Sequence, residues 1–401
     1  MIKRAALGAV SALALTFTAG TAMAEMKIGA LVPLTGDLQA YGEASLQGIQ
    51  LAAKHINAQG GVLGGDAVIA VGDTQTTPQV GVDAAQKLVN VEGVSGIVGA
   101  LSSGVTIPAS SSVTSQAGVP QISGASTSPE ITTLNDNDFL FRTVPTDAVQ
   151  GLALSEITNN QGYKKVGVVY INNDYGDGLA KAFSEAFTAG GGEIAGSVAY
   201  EKGQASYRGE LQRAAEGGAD ALVLIGYPEN GITIIRQALE GGYFSKFVFS
   251  DGLKAPEIID SIGGDYMNGS VGTAPAAAGE GVELFKKAFV DEFGELPPKP
   301  YIDSAYDATF LLALAAEKAG SNDPKAVRDA LRDVANPPGV TVLPGQWEQA
   351  KKLIADGQDI DYDGAAGPVN FDDNGDVLGT YEEWGIEDGK IVSKRIFLPA
   401  N

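Results

Sequence analysis

Short apolar runs and amphipathic helical patterns alternate along most of the chain. In the first third, apolar runs predict strands at 26–34, 67–73, 94–101 and 119–124, and the segments between them predict helices at 43–59, 78–90 and 106–118. The alternation resumes later, with predicted strands at 165–172, 196–200, 221–226 and 246–252. Strands separated by helices of about 10–15 residues indicate βαβ units. We therefore predict an α/β fold with doubly wound parallel sheets.

The alternation is interrupted once, at residues 135–151, where polar turn residues surround Pro145. Because a new strand–helix series begins after this segment, we interpret it as a crossing between two lobes. The pattern after residue 252 is less regular. It predicts amphipathic helices at 281–294 and 304–320, and then hairpins with turns at Asp373–Asp376 and Glu387–Lys390.

The first residues have the pattern of a secretory signal peptide. Lys3 and Arg4 precede an apolar stretch, and Ala22-Met23-Ala24 matches a small-residue cleavage site. We predict that residues 1–24 are removed by cleavage after Ala24. The remaining 377 of the 401 residues exceed the size at which a single core stops growing, so we expect two domains.

The composition excludes several classes of function. The net charge of −22 repels nucleic acid, so we expect no nucleic-acid partner. The chain has no cysteine, which excludes thiol catalysis and cysteine-ligated metal sites. Its one histidine, His55, falls inside a predicted helix, so histidine-based catalysis and zinc binding are disfavoured. Asp359, Asp361 and Asp363 have calcium-loop spacing but lack the later glutamate, which predicts an acidic hairpin instead. We expect no cofactor and no metal.

The loops that follow the predicted strands are the candidate functional segments, because parallel sheets place ligands at the carboxyl ends of their strands. Three of these loops fall in each half of the strand series, which favours a cleft between two lobes: 35–42, 102–106, 124–128, 172–178, 227–231 and 250–252. The hydroxyls of Ser102 and Ser103 could be nucleophiles or ligand-binding groups. The sequence offers no G-x-S-x-G elbow and no suitable base, which favours binding.

Four segments resemble one known family. They are "IGALVPLTGDLQAYGEASLQGIQLAAKHINAQGGVLG", "IVGALSSGVTIPAS", "GVPQISGASTSPEIT" followed by "FRTVPTD", and "YINNDYGDGLAKAF". The chain resembles the periplasmic solute-binding proteins of branched-chain amino acid ABC transporters. The resemblance implies two doubly wound lobes, joined by a hinge of three crossings, that close on a ligand like a Venus flytrap. It implies lobes made of residues 25–145 plus 272–360 and 146–271 plus 361–401.

The resemblance also implies ligand-binding positions. Ser103, with Ser102 beside it, matches the family's carboxylate-binding serine. Ala125 matches a family position that binds the ligand through its backbone, and Thr127 matches one that binds it through hydroxyl and backbone. Asp251 matches an acidic residue that accepts the ligand's ammonium, although many relatives have Glu there. The positions that match aromatic contacts are Tyr41, Tyr175, Tyr227 and, more weakly, Tyr301, for which Tyr306 is the alternative.

The expected function is that of a non-catalytic binding protein. The resemblance implies a periplasmic protein that captures an amino acid, of the branched-chain or aliphatic class, and delivers it to a membrane ABC permease. We expect a monomer. The alternatives are another small solute (an amide, urea, another amino acid or an aromatic acid), a ligand-sensing receptor domain, and an enzyme, which the absence of suitable bases and motifs disfavours.

Overall fold

The computed structural model describes residues 25–399. The predicted signal peptide, residues 1–24, lies outside the described residues. Residues 25–399 form two large sheets and one small three-stranded sheet, with helices packed around them. The predicted α/β class is therefore confirmed. Within this range, no helix combines the length and the apolar character needed to cross a bilayer.

The first sheet contains five parallel strands: β1 (Met26–Val32), β2 (Ala67–Asp73), β3 (Gly96–Gly99), β4 (Gln121–Ser123) and β5 (Leu140–Arg142). Their spatial order is β2–β1–β3–β4–β5. The connecting helices are α1 (Gln39–Ala58), α2 (Pro78–Lys87), α3 (Ser103–Ala109) and α4 (Ser115–Ala117). Every residue of β3 is buried, as expected for a central strand covered on both faces.

The helix predicted at 106–118 begins earlier and is not continuous. It starts at Ser103, and a π-helical turn at Ser110–Thr114 separates α3 from α4. Pro108 lies inside α3 and has no N–H to donate, so the regular hydrogen-bond ladder is interrupted there. The segment ends at Gly118 in a left-handed conformation (φ 68°), as the glycine in the sequence predicts.

The second sheet contains seven strands: β6 (Lys165–Ile171), β7 (Glu193–Tyr200), β8 (Ala221–Ile225), β9 (Phe247–Phe249), β10 (Val271–Pro275), β14 (Tyr381–Glu387) and β15 (Lys390–Phe397). Their order is β15–β14–β10–β9–β8–β6–β7; β14 pairs antiparallel with both β10 and β15, and the other pairs are parallel. Its helices are α5 (Asp147–Asn160), α6 (Asp174–Ala189), α7 (Arg208–Ala215), α8 (Pro228–Glu240), α9 (Pro256–Ile262) and α10 (Gly264–Met267).

The elements between β10 and β14 are linked to the first sheet through one long helix, which contacts β1, β3 and β4. They are α11 (Glu280–Phe293), α12 (Ile302–Ala319), α13 (Pro324–Ala335), β11 (Val340–Val342), α14 (Trp347–Ala355), β12 (Ile360–Gly364) and β13 (Gly367–Pro368). The α12 backbone approaches α1 so closely that a Cβ on Gly48 would lie 2.2 Å from the Ile302 carbonyl oxygen. A glycine at this position therefore permits the two helices to pack against each other.

Three segments connect the two halves: 143–146, 276–279 and 377–380. They contact one another, since Thr380 Oγ1 donates to the Ala276 carbonyl at 2.6 Å and Tyr381 OH donates to the Thr146 carbonyl at 2.9 Å. The lobe boundaries predicted at 271/272 and 360/361 both fall inside strands. Pairing assigns all of β10 to the second sheet and joins all of β12 to β11 and β13.

The two turns predicted in the C-terminal segment differ in outcome. Glu387–Lys390 forms the β14–β15 hairpin turn, with both central residues at positive φ. The hairpin predicted at Asp373–Asp376 is wrong, because the residues on either side of that turn form no paired strands. The turn packs instead on the first sheet, where the Gly375 carbonyl accepts from the Arg142 N–H at 3.0 Å.

Candidate functional site

A small cavity of about 20 Å³ lies between the two lobes. Its walls contain every predicted site residue except Thr127, together with three residues that were not predicted. The lining residues are Leu38, Tyr41, Leu101, Ser102, Ser103, Ala125, Tyr175, Tyr227, Asp251, Gly252 and Tyr301. Strand ends explain this convergence, because most of these residues directly follow β1, β3, β4, β6, β8 or β9.

Side chains of the two lobes contact each other directly across this cavity. Ser102 Oγ on the first lobe lies 3.0 Å from Tyr227 OH on the second. Tyr41 OH donates to the Gly252 carbonyl at 3.2 Å. Tyr301 OH donates to Asp251 Oδ2 in a third contact of this kind. The lobes are therefore closed on one another through the residues that were predicted to bind a ligand.

Among residues 25–399, Asp251 is the only acidic residue that lines the cavity, and hydroxyl and amide donors surround it. It follows β9 and is buried, with 3% of its surface exposed. Tyr175 OH and Gln150 Nε2 each lie 2.8 Å from its Oδ1, and Tyr301 contacts its Oδ2. Burial raises the pKa of Asp251, and the hydrogen bonds from Tyr301, Tyr175 and Gln150 oppose that rise. These donors fix the carboxylate at the cavity wall.

Aromatic rings form much of the wall. Tyr175 and Tyr227 stack with their centroids 5.7 Å apart and their planes 11° from parallel. Burial, followed by the charge of Asp251, raises the pKa of Tyr41 well above its usual value, so its hydroxyl stays protonated. Such rings offer an apolar face together with a polar tip, which suits a small amphipathic ligand.

The structure decides between Tyr301 and Tyr306. Tyr301 lines the cavity, and its backbone is held at φ 79°, a left-handed conformation that is unusual for a bulky residue. Tyr306 lies one turn further along α12, in the core of the first lobe. Its hydroxyl lies 2.8 Å from His55 Nδ1 and accepts from the Gly345 N–H at 2.9 Å. Tyr306 is therefore a packing residue of the first lobe, and Tyr301 is the one of the two that lines the cavity.

The serine and alanine positions have different surroundings. Ser102 occupies the N-cap position of α3, but its side chain makes no capping hydrogen bond and points to Tyr227 instead. Ser103 Oγ accepts from the Ser128 N–H at 3.2 Å. The Ala125 N–H has a long contact of 3.3 Å to Ser123 Oγ. Ser102 is thus available for recognition rather than for capping the helix.

The prediction that the Thr127 hydroxyl faces the ligand disagrees with this geometry. Its Oγ1 donates to Asp147 Oδ2 at 2.8 Å, and its carbonyl accepts from the Asp147 N–H at 2.8 Å. Asp147 and Gln150, one turn apart on α5, lie outside the cavity wall but contact Thr127 and Asp251, and sequence reasoning missed both. The sequence did contain a signal for them. Two polar residues stand three positions apart, and the first directly follows Thr146, a residue suited to an N-cap.

Neither the histidine nor the aspartate cluster adds further chemistry here. His55 belongs to α1 and bonds Tyr306, away from Ser102 and Ser103. Burial, followed by the charge of Lys54, lowers the pKa of His55. The stretch from Asp359 to Asp363 lies mostly in the extended strand β12, which turns sharply into β13 as the predicted hairpin does. Among residues 25–399, no group of three or more His, Asp or Glu side chains is arranged to hold a metal ion.

A second, larger cavity of about 550 Å³ lies at the three crossings. Its walls are mostly proline, valine, leucine and alanine side chains, and two of its leucines, Leu378 and Leu398, are 89% and 68% exposed. In the described part of the chain, none of the predicted site residues lines this cavity. We therefore take the smaller cavity at the strand ends as the candidate ligand site.

Comparison with known proteins agrees with this geometry. Residues 25–375 match the family model described as "Periplasmic binding protein". The chain is 32% identical over 319 residues to Leu/Ile/Val-binding protein homolog 1 of Brucella melitensis, covering 78% of this chain and 84% of that protein. It is 30% identical over 355 residues to the chemotactic signal transduction system substrate-binding protein BasB of Halobacterium salinarum. This match covers 86% of this chain and 83% of that protein.

Solved structures include similar folds. The leucine-binding protein LivK of Thermotoga maritima superposes with a TM-score of 0.80 at 26% sequence identity, covering 93% of this chain and 99% of that one. A fold match of this extent covers both lobes and the three crossings.

Proposed function

The chain belongs to the periplasmic binding protein family, in its branched-chain amino acid group, and from this premise we propose that it is the solute-binding component of an ABC importer. It captures an aliphatic or branched-chain amino acid between its closing lobes. The observation that supports this most is the division of polar groups across the cleft. Asp251 lies on the second lobe, and Ser102, Ser103 and Ala125 lie on the first.

This division matches a zwitterion. The ammonium of an amino acid pairs with the buried carboxylate of Asp251, and its carboxylate is bound by hydroxyl and backbone N–H groups of the first lobe. Leu38 and Leu101, together with the ring of Tyr41, offer apolar surface for an aliphatic side chain. Because opposite charges of the ligand contact opposite lobes, only a ligand that carries both charges stabilises closure fully.

Binding requires the lobes to separate first. A cavity of about 20 Å³ holds about one water molecule, which is less than any amino acid needs. The direct contacts Ser102–Tyr227 and Tyr301–Asp251 are then exchanged for contacts through the ligand. The mechanism is hinge closure, with the three crossings as the hinge.

The remaining assignments follow from the family. A periplasmic binding protein works in the periplasm and delivers its solute to a membrane ABC permease, and we propose both for this chain, as a monomer and without catalysis. The predicted leader, residues 1–24, is consistent with export. Of the described residues that line the cavity, none is a histidine, lysine or arginine that could activate a serine.

A sensing role is the second candidate, because a relative that covers most of this chain is a chemotactic substrate-binding protein. The same fold would then present its closed form to a receptor rather than to a permease. Disruption of the gene distinguishes the two roles. A transport role predicts loss of amino acid uptake, and a sensing role predicts loss of chemotaxis toward the same amino acid with uptake retained.

A thermal-shift screen tests the ligand class. Protein that has been unfolded, stripped of ligand and refolded is heated with amino acids, amides, urea and aromatic carboxylates. A ligand at about 100 times its Kd stabilises the fold by about 2.7 kcal/mol, which raises the melting temperature measurably. Stabilisation by Leu, Ile or Val supports the proposal. Stabilisation only by a solute without an ammonium contradicts it.

A further inference from the structure

Two buried acceptors on α5 have no hydrogen-bond partner. Asp147 and Gln150 are both 0% exposed, and Asp147 Oδ1 and Gln150 Oε1 bond to no other group among the described residues. A buried acceptor without a donor destabilises a protein, so each such atom in a native fold calls for a physical reason. Two of them one helical turn apart indicate that a donor-rich group belongs beside them.

The orientation of the Gln150 amide is fixed by its neighbours. Its Nε2 donates to Asp251 Oδ1 at 2.8 Å and to Thr273 Oγ1 at 3.3 Å. Turning the amide over would place its oxygen against the Asp251 carboxylate, which repels it. The unpaired Oε1 therefore remains next to the ammonium acceptor of the proposed site.

Asp147 lies one helical turn before Gln150 on α5, and the Gln150 amide contacts Asp251 at the cavity wall. Its charge contributes to the raised pKa of Tyr175 and of Tyr301, whose rings line the cavity, although burial is the main cause for both. Its other oxygen, Oδ2, is bonded to Thr127. Only Oδ1 is free for a further partner.

Within the part of the chain that the structure describes, no basic side chain supplies the missing donors. Arg142 is the cation that acts on Asp147, yet its Nε and Nη2 donate to Asp376 and its Nη1 donates to the Ser128 carbonyl. The cavity wall itself has no lysine or arginine. The protein's own donors are thus too few to pair every buried acceptor near Asp251, and Asp147 Oδ1 and Gln150 Oε1 are left without one.

We infer that Asp147 and Gln150 form, with Asp251, the subsite for the ligand's ammonium, and that this subsite selects primary amines over neutral groups of the same shape. The inference rests on the proposed function and deepens it. An ammonium has three N–H donors, which can be shared among the acceptors that Asp251, Asp147 and Gln150 offer. A hydroxyl in the same place has one donor and no charge, so it leaves buried acceptors unpaired.

The test compares two ligands that differ in this group alone, L-leucine and 2-hydroxy-4-methylpentanoate. Their affinities are measured by calorimetry on wild-type protein and on Asp147→Asn, which keeps the shape and removes the charge. We expect Asp147→Asn to weaken leucine binding by roughly 10- to 150-fold, the loss for one charged hydrogen bond. Binding of the hydroxy acid should stay unchanged or become tighter.

Controls separate a ligand contact from a structural role. Asp307→Asn makes the same change at another fully buried carboxylate, one that Tyr362 and two backbone N–H groups satisfy, and it should leave the leucine to hydroxy-acid preference unchanged. Gln150→Met removes the second free acceptor together with the amide donor to Asp251, and it keeps the Thr127–Asp147 bonds. It should lower the same preference, and it replaces Asp147→Asn if that variant does not fold.

The outcomes are distinct. If the Asp147→Asn variant binds leucine as tightly as the wild type, Asp147 is neutral and gives its proton to a neighbour. That result overturns the inference. Equal loss for both ligands would make Asp147 a structural support for Thr127 and also overturns it. Wild-type protein that binds neither ligand overturns the proposed function, and the inference with it.

Discussion

Asp251→Asn should weaken ligand binding strongly for a very small change in structure, because it replaces one carboxylate oxygen with an amide nitrogen. The carboxylate is 3% exposed and accepts from Gln150, Tyr175 and Tyr301, so the protein has organised three donors around one negative charge. Asparagine keeps the volume but offers one acceptor oxygen and no charge. The ligand's ammonium would then be buried without its counter-charge.

The size of the effect follows from the cost of leaving one charge of a buried pair alone. Such truncations cost about 2–5 kcal/mol, which corresponds to an increase in Kd of roughly 30-fold to several thousand-fold. Titration calorimetry with leucine, on variants checked by thermal unfolding, measures this directly. Asp307→Asn, again the control, should lower stability and leave the Kd of leucine within a few-fold of wild type.

One result would refute the reasoning. If Asp251→Asn bound leucine with a Kd near that of the wild type, the ammonium could not lie against Asp251. The polarity assigned to the cleft, with the ammonium on the second lobe and the carboxylate on the first, would then be wrong.

Three further predictions concern closure and stability. Tyr227→Phe removes a hydrogen bond between the lobes worth about 0.5–1.5 kcal/mol, so small-angle scattering should report a larger radius for the ligand-free variant. The Asp37 carboxyl across the cleft raises the pKa of Glu229 in the closed form, so Glu229 contributes stability to closure as pH falls through that raised pKa. The ratio of the wild-type to the Glu229→Gln affinity for leucine should therefore be higher at pH 5 than at pH 7. Arg142→Ala leaves the largely buried Asp376 without its partner and should cost about 3–5 kcal/mol of unfolding free energy in urea titrations, whereas a loss below about 1 kcal/mol would contradict that account.

Periodicity predicted the fold, loop position predicted the segments that form most of the cavity wall, and the family resemblance named the residues within those segments. Strand ends are readable from apolar runs, and the loops after them contain Ser102, Tyr175, Tyr227 and Asp251. A parallel sheet brings such loops to one edge whatever the details of packing. That is why these residues converge as expected.

What could not be predicted depends on tertiary geometry. Tyr301 and Tyr306 are five positions apart in the sequence. Tyr301, with its backbone at φ 79°, lines the cleft, whereas Tyr306 packs beside His55 in the core. Thr127 occupies the expected loop, yet Asp147 takes its hydroxyl, and that contact depends on how α5 docks after the hinge. The end of β10 is set by pairing with β9 and β14, which an apolar pattern does not specify.

The most direct test of the central claim is titration calorimetry of ligand-stripped protein with L-leucine and with its two halves, 4-methylpentanoate and 3-methylbutylamine. The halves lack the ammonium and the carboxylate respectively, so each can contact the polar groups of one lobe alone. The account predicts that leucine binds and that each half binds at least tenfold more weakly. Binding of either half as tightly as leucine would contradict recognition of a whole zwitterion by both lobes.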